Sequence, residues 1–210
     1  MPAMMGRVAQ TLNERIRHFP TWPVYLVGLL YPFWFLYLGV TGGLGVEPIE
    51  KLEHLLGEVG LQMLIITLAI TPLRRFTGIA LIKFRRAFGL ITFYYISLHL
   101  LVWLVLDVQI PSEILADIIK RPYVTVGMIG FVLLIPVAVT SNNASIRRLG
   151  ALRWKRLHQL SYVAAILGAV HFIWVARGFQ VEPLVYLGVI LALLSARITW
   201  RRPRLTQPSA

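Results

Sequence analysis

Three histidines set in apolar stretches are the residues of this sequence best suited to chemistry. His158 and His171 lie in RWKRLHQLSYVAAILGAVHFIWVAR, which runs from residue 153 to residue 177, and His99 lies in ITFYYISLHLLVWLVLD. An imidazole facing lipid gains nothing and costs desolvation, so an ionisable residue inside a membrane segment points to a function. Thirteen residues separate His158 from His171. At the helical rise that is roughly 20 Å along the axis, two depths of a hydrocarbon core about 30 Å thick. Imidazole is the soft ligand this chain offers in number. His99, His158 and His171 are read as metal ligands that bind haem, and the rest of the chain as what holds them and delivers electrons to them.

Composition sets the surroundings. Hydrophobic residues make up 57% of 210 and charged residues 14%, with a mean hydropathy of +0.70. That much apolar surface exceeds what one soluble core hides, so the expectation is an all-α integral membrane protein. There is no cysteine, which excludes disulfides, thiolate metal sites and iron–sulfur clusters from the chain. A net charge of +12 would suggest nucleic acid in a soluble protein. In a membrane protein its distribution matters more than its sum, and no nucleic acid is expected.

The elements that must position the histidines follow in order. The opening MPAMMGRVAQTLNERIRHFPTW is basic and weakly amphipathic, without a signal-peptide pattern. Apolar runs predict six spans, over about residues 23–40, 59–73, 87–106, 123–140, 157–175 and 183–198. Residues 47–58 read as a separate amphipathic surface helix, and Pro111-Ser112-Glu113 as the start of another. Pro72 ends the second span, and Pro136 kinks or interrupts the fourth. No internal repeat is visible, and 1–210 reads as one transmembrane haem-binding domain.

Six spans place the connecting segments alternately on two sides. One side, with both termini and the 73–86 and 141–158 segments, carries 17 of the 21 Lys and Arg residues. The other carries eight of the nine acidic residues. Basic segments stay cytoplasmic, so both termini are expected inside a bacterial inner membrane and the acidic loops outside.

This topology runs the third and fifth spans in the same direction. His99 and His171 each fall about a dozen residues along, at one depth in the outer half, where they can face each other as a bis-histidine pair. Two buried histidines in interhelical hydrogen bonds are the competing reading. His158 lies at the inner end of the fifth span, where a second cofactor could stack below the first, or where the ring serves structure or faces lipid. Its counterpart on the third span would fall near position 86, which is Arg86. Helical phase complicates this arrangement. Thirteen residues make about 3.6 turns, so His158 and His171 point differently unless curvature or an irregularity near Gly168 corrects it. Arg177, six residues after His171, could pair with a haem propionate or be an ordinary snorkelling end residue. His18 and His54 lie in surface segments and are given no role.

The segments KFRRAFGLITFYYISLHL with His99, TSNNASIRRLGALRWKRLHQLSY with His158, and GAVHF with His171 resemble the MsrQ, or YedZ, family. These are the haem-binding membrane subunits of a bacterial methionine sulfoxide reductase system, within the wider ferric reductase and NADPH oxidase transmembrane group. The resemblance covers nearly the whole chain. One histidine on the third span and two on the fifth look like this branch, whereas the oxidase branch has a pair on each, so Arg86 departs from the wider pattern. The resemblance implies haem b, one with a second left open, and FMN. It implies electrons taken from the quinone pool and passed to a periplasmic molybdopterin-containing MsrP-like reductase that repairs oxidised methionines. A flavin phosphate would fit the inner basic cluster, with Arg85 and Arg86 preferred because they lie below His99 on its helix, although positive-inside topology already explains most of that cluster.

Two other functions compete with this electron conduit. A ferric reductase or oxidase-type carrier would need a separate NAD(P)H dehydrogenase, because only about a dozen residues follow the last span. A non-redox transporter with a histidine proton relay would need midplane acidic residues and symmetric halves, and the sequence displays neither.

Overall fold

A computed structural model describes residues 2–176 and 180–197. Every regular element among them is helical: α1 (Pro2–His18), α2 (Trp22–Val40), α3 (Pro48–Thr77), α4 (Arg85–Val102), α5 (Pro111–Lys120), α6 (Pro122–Val139), α7 (Asn143–Leu149), α8 (Ala151–His158), α9 (Leu160–Val175) and α10 (Val181–Ser195). A 3₁₀ turn over Ile82–Phe84 leads into α4, and a π turn over Trp103–Val108 extends it. Five stretches are long and apolar enough to cross a membrane: Trp22–Val40, Pro48–Thr77, Ile82–Val108, Pro122–Val139 and Ala151–Val175. The described part of α10 is apolar but 15 residues long, short of the roughly 20 that span a bilayer.

The surface helix expected over 47–58 and the span expected over 59–73 are one 30-residue helix, α3. The reason is visible in its packing. Leu52, Leu56, Gly60, Leu64, Leu68 and Pro72 are all buried, every fourth residue along a ridge that winds slowly around the helix from one packed face to the next, so burial continues unbroken past Val59. Pro72 does not end the helix either. It runs on to Thr77 and stops at Gly78, whose φ of 78° is the left-handed conformation that closes a helix with its N–H on the Arg74 carbonyl. The amphipathic helix expected at Pro111 is α5. The fifth span begins earlier than expected, in α8, and the chain is interrupted at Gln159, where Gln159 and Tyr162 N–H groups bond three residues back, to Arg156 and Gln159 carbonyls. The irregularity between His158 and His171 is therefore a tightened turn at Gln159, well before Gly168.

α3 is the central element. One face packs on α2 and α4 through Phe35, Leu52, Leu56, Ile91, Tyr95 and Val102. Another packs on α9 and α10 through Leu61, Leu64, Leu68, Ala165, Ala169 and Ile190. α6 lies along α9, where Gly130 meets Leu167 and the backbone of Ala164. Lipid tails are as apolar as these side chains, so small residues that permit close approach hold such helices together. At Gly60 a β-carbon would lie 2.5 Å from Ile96 Cδ1 and 3.4 Å from Tyr95 Cβ. Gly60→Val is expected to part α3 from α4 and to destabilise the bundle by about 1–3 kcal/mol, read as a lower melting temperature in detergent.

The result is two helix pairs, α3 with α4 and α6 with α9. Between them, at the end of the bundle where residues 50–58, 103–107, 121–124, 171–175 and 180–182 meet, they leave a cleft.

Candidate functional site

Each helix pair seats one histidine in the same way. His99 on α4 turns its Nδ1 to the Glu53 carbonyl of α3 at 2.9 Å. His171 on α9 turns its Nδ1 to the Tyr123 carbonyl of α6 at 2.8 Å. A carbonyl only accepts, so each Nδ1 carries the proton and donates, and each Nε2 keeps its lone pair as a neutral ligand atom. Four residues after each carbonyl stands a glycine. A β-carbon at Gly57 would sit 3.0 Å from His99 Nδ1, and one at Gly127 would sit 3.0 Å from His171 Nδ1. The rings occupy space that any other residue would fill. Carbonyl and glycine together fix tautomer and orientation, the arrangement that metal-ligating histidines use.

The two rings face each other across the cleft with centroids 6.2 Å apart and planes at 79°. Two imidazoles in line on one metal, with metal–nitrogen bonds of about 2.0 Å and about 1.1 Å from nitrogen to ring centre, put their centroids about 6.2 Å apart. The spacing fits one ion between them. Among the described residues no group of three or more His, Cys, Asp or Glu is placed to hold a metal. A cavity of about 740 Å³ surrounds the pair, within the range of cofactor sites. Its floor is apolar, with Phe131, Leu134, Ala164 and Gly168, and Phe131 stacks on Phe93 of α4 at 5.6 Å and 7°. Its mouth is charged, with Glu50, Glu53, Asp107 and Glu182 beside Lys51, His54 and Arg121. In one wall Glu58 accepts hydrogen bonds from Gln62 at 2.9 Å and from the Tyr186 hydroxyl at 3.2 Å.

His158 does not line this cavity. Its ring lies on Trp154 with centroids 3.8 Å apart, its Nδ1 donates to the Trp154 carbonyl at 3.1 Å, and its Nε2 faces the Ser141 hydroxyl at 3.3 Å. Both nitrogens have protein partners. Arg86 donates to the Asn143 side chain at 2.7 Å and so ties α4 to α7, while Arg85 at the start of α4 is half-buried. Neither lines the cavity. Arg177 lies outside the described residues.

A family of ferric reductase-like transmembrane components matches residues 56–169, a stretch that holds His99 and His158 and ends just before His171. Over almost the full chain, a relative from Brucella anthropi named protein-methionine-sulfoxide reductase heme-binding subunit MsrQ is 46% identical across 208 positions, 97% of this chain and 94% of its own. Relatives of the same name from Brucella ovis and Brucella canis are each 44% identical across 189 positions, 90% of this chain and 86% of theirs. The chain belongs to the MsrQ family. For an MsrQ-family chain the histidines were the legible part of the site. The two seats, the Glu53 and Tyr123 carbonyls with Gly57 and Gly127, escaped the sequence reading. Carbonyls carry no side-chain signature, and one glycine stood in a segment taken for a surface helix.

Proposed function

We propose that this chain is the haem b subunit of a membrane-bound methionine sulfoxide reductase system. The observation that carries the reading is the facing pair His99 and His171, each with Nδ1 held by a carbonyl and Nε2 left as a ligand atom. In this reading 1–210 is one transmembrane domain of six spans in a bacterial inner membrane, α10 being the sixth, with both termini cytoplasmic. The segregation of 17 of 21 basic residues to one side supports that orientation.

The haem iron supplies one-electron redox chemistry. The residues of the chain do the rest. His99 and His171 would hold the iron through their Nε2 atoms, their carbonyl partners keep both rings neutral and oriented, and Phe93, Phe131 and Leu134 keep water from the floor. Electrons drawn from the quinone pool cross toward the acidic mouth and leave to a periplasmic molybdopterin-containing MsrP-like reductase, which carries out the terminal repair of oxidised proteins. No catalytic residue is assigned to this chain. FMN, with its phosphate at Arg85 and Arg86, belongs to the same reading and rests on the family resemblance. His158, with both nitrogens occupied, is left out of the ligand set.

The test is the reduced-minus-oxidised visible spectrum of detergent-purified protein with haem quantified as the pyridine complex. A low-spin b-type spectrum at one haem per chain is expected, reducible by a quinol and not by NADH alone. A well-folded, colourless protein from haem-replete cells would sink the reading.

A further inference from the structure

The two seats resemble each other beyond the histidines. Lys51 precedes the Glu53 carbonyl by two residues and Gly57 by six, and Arg121 precedes the Tyr123 carbonyl by two and Gly127 by six. Each half of the site therefore runs cation, carbonyl, glycine in the same chain direction from the mouth inward. Both cations line the cavity, one from the first turn of α3 and one from the junction before α6. Arg121 is held only loosely. Its Nε lies 3.4 Å from the Asp117 carboxylate and its Nη1 3.4 Å from the Tyr123 hydroxyl, which leaves its second amino group for another acceptor.

A haem brings two carboxylates of its own. With its propionates directed at the floor they would be buried among Phe131, Leu134 and Ala164, where an unpaired charge is very costly. At the mouth they would meet Glu50, Glu53, Asp107 and Glu182 unless cations intervene. Among the described residues, Lys51 and Arg121 are the lysine and the arginine that line the cavity.

We propose that Lys51 and Arg121 anchor the two haem propionates, one from each half of the site, and thereby fix the haem with its propionates at the mouth. This rests on the haem reading above. The same two charges favour the reduced iron, because reduction adds a negative charge close to them.

The test uses apoprotein from haem-limited cells, loaded with haem b or with haem b dimethyl ester, whose propionates carry no charge. Lys51→Gln, Arg121→Gln, their double variant and Lys120→Gln, an exposed neighbour outside the cavity, are compared by the rate of haem transfer to apomyoglobin and by midpoint potential. Haem b is expected to leave each single variant about tenfold faster than wild type, the loss of one charge-assisted bond, and faster still from the double variant. The potential should fall in each and hold in Arg121→Lys, and Lys120→Gln should behave as wild type. With the ester, variants and wild type should release alike. Acceleration of equal size with the ester would mean a structural effect and overturn the proposal, as would variants indistinguishable from Lys120→Gln. A wild type with a b-type spectrum beside unchanged variants defeats this inference alone, whereas a wild type that takes up no haem defeats the haem reading with it.

Discussion

His99→Ala and His171→Ala are each expected to abolish the low-spin b-type spectrum, whereas His158→Ala leaves it. In the proposed reading the two rings would hold one iron between them, so loss of either would leave a single seated imidazole in the cavity. Residues that merely orient a ligand cost 10- to 100-fold in metal affinity when removed, and removal of the ligand itself should cost more than about 100-fold. His158 differs because its nitrogens are already engaged by Trp154 and Ser141. Its loss should register as a lower melting temperature of the α8 end of the bundle with haem content unchanged. The measurement is haem per chain with the reduced spectrum, on variants shown to be monodisperse in detergent. Equal loss of haem in all three variants would contradict this assignment and restore His158 as a ligand.

The second large effect is expected at the glycines. Gly57→Val and Gly127→Val would press side-chain carbons against the His99 and His171 rings, since even the β-carbon stands 3.0 Å from each Nδ1. The rings must swing away from the Glu53 and Tyr123 carbonyls, and each loses the bond that sets its tautomer. A 10- to 100-fold loss of haem affinity is expected from each, with a shift from low-spin toward high-spin ferric haem as one axial bond lengthens. Glu53→Gln is the control. It keeps the backbone carbonyl, so His99 stays seated and the spectrum should be unchanged. If Glu53→Gln proved as damaging as Gly57→Val, the side chain rather than the carbonyl would be the active group.

Much of the architecture was legible because it depends on sums over neighbouring residues. A run such as PYVTVGMIGFVLLIPVAV declares a membrane helix by composition alone, and Pro111 opened α5 where its fixed backbone angle suits a first turn. α3 was misdivided because its charged first turns, with Glu47, Glu50, Lys51 and Glu53, looked like a surface helix. The fourfold spacing from Leu52 to Pro72 that joins the halves was present in the sequence and was outweighed by polarity. The tightened turn at Gln159 had no such signal, since no glycine or proline marks it.

The sequence by itself determined residence in the membrane, the asymmetry of charge and the three histidines worth attention, all properties of short windows read in series. Matched depth also pointed to His99 and His171 as the facing pair, and their rings lie 6.2 Å apart, whereas the tertiary structure decided what seats them. The bond from His99 to Glu53 joins residues 46 apart, and that from His171 to Tyr123 joins residues 48 apart. Both acceptors are main-chain oxygens that every residue type carries. Which carbonyl and which glycine come to face one ring is fixed by the crossing of helix pairs, and that crossing depends on side chains packed across the whole bundle rather than on any segment read alone.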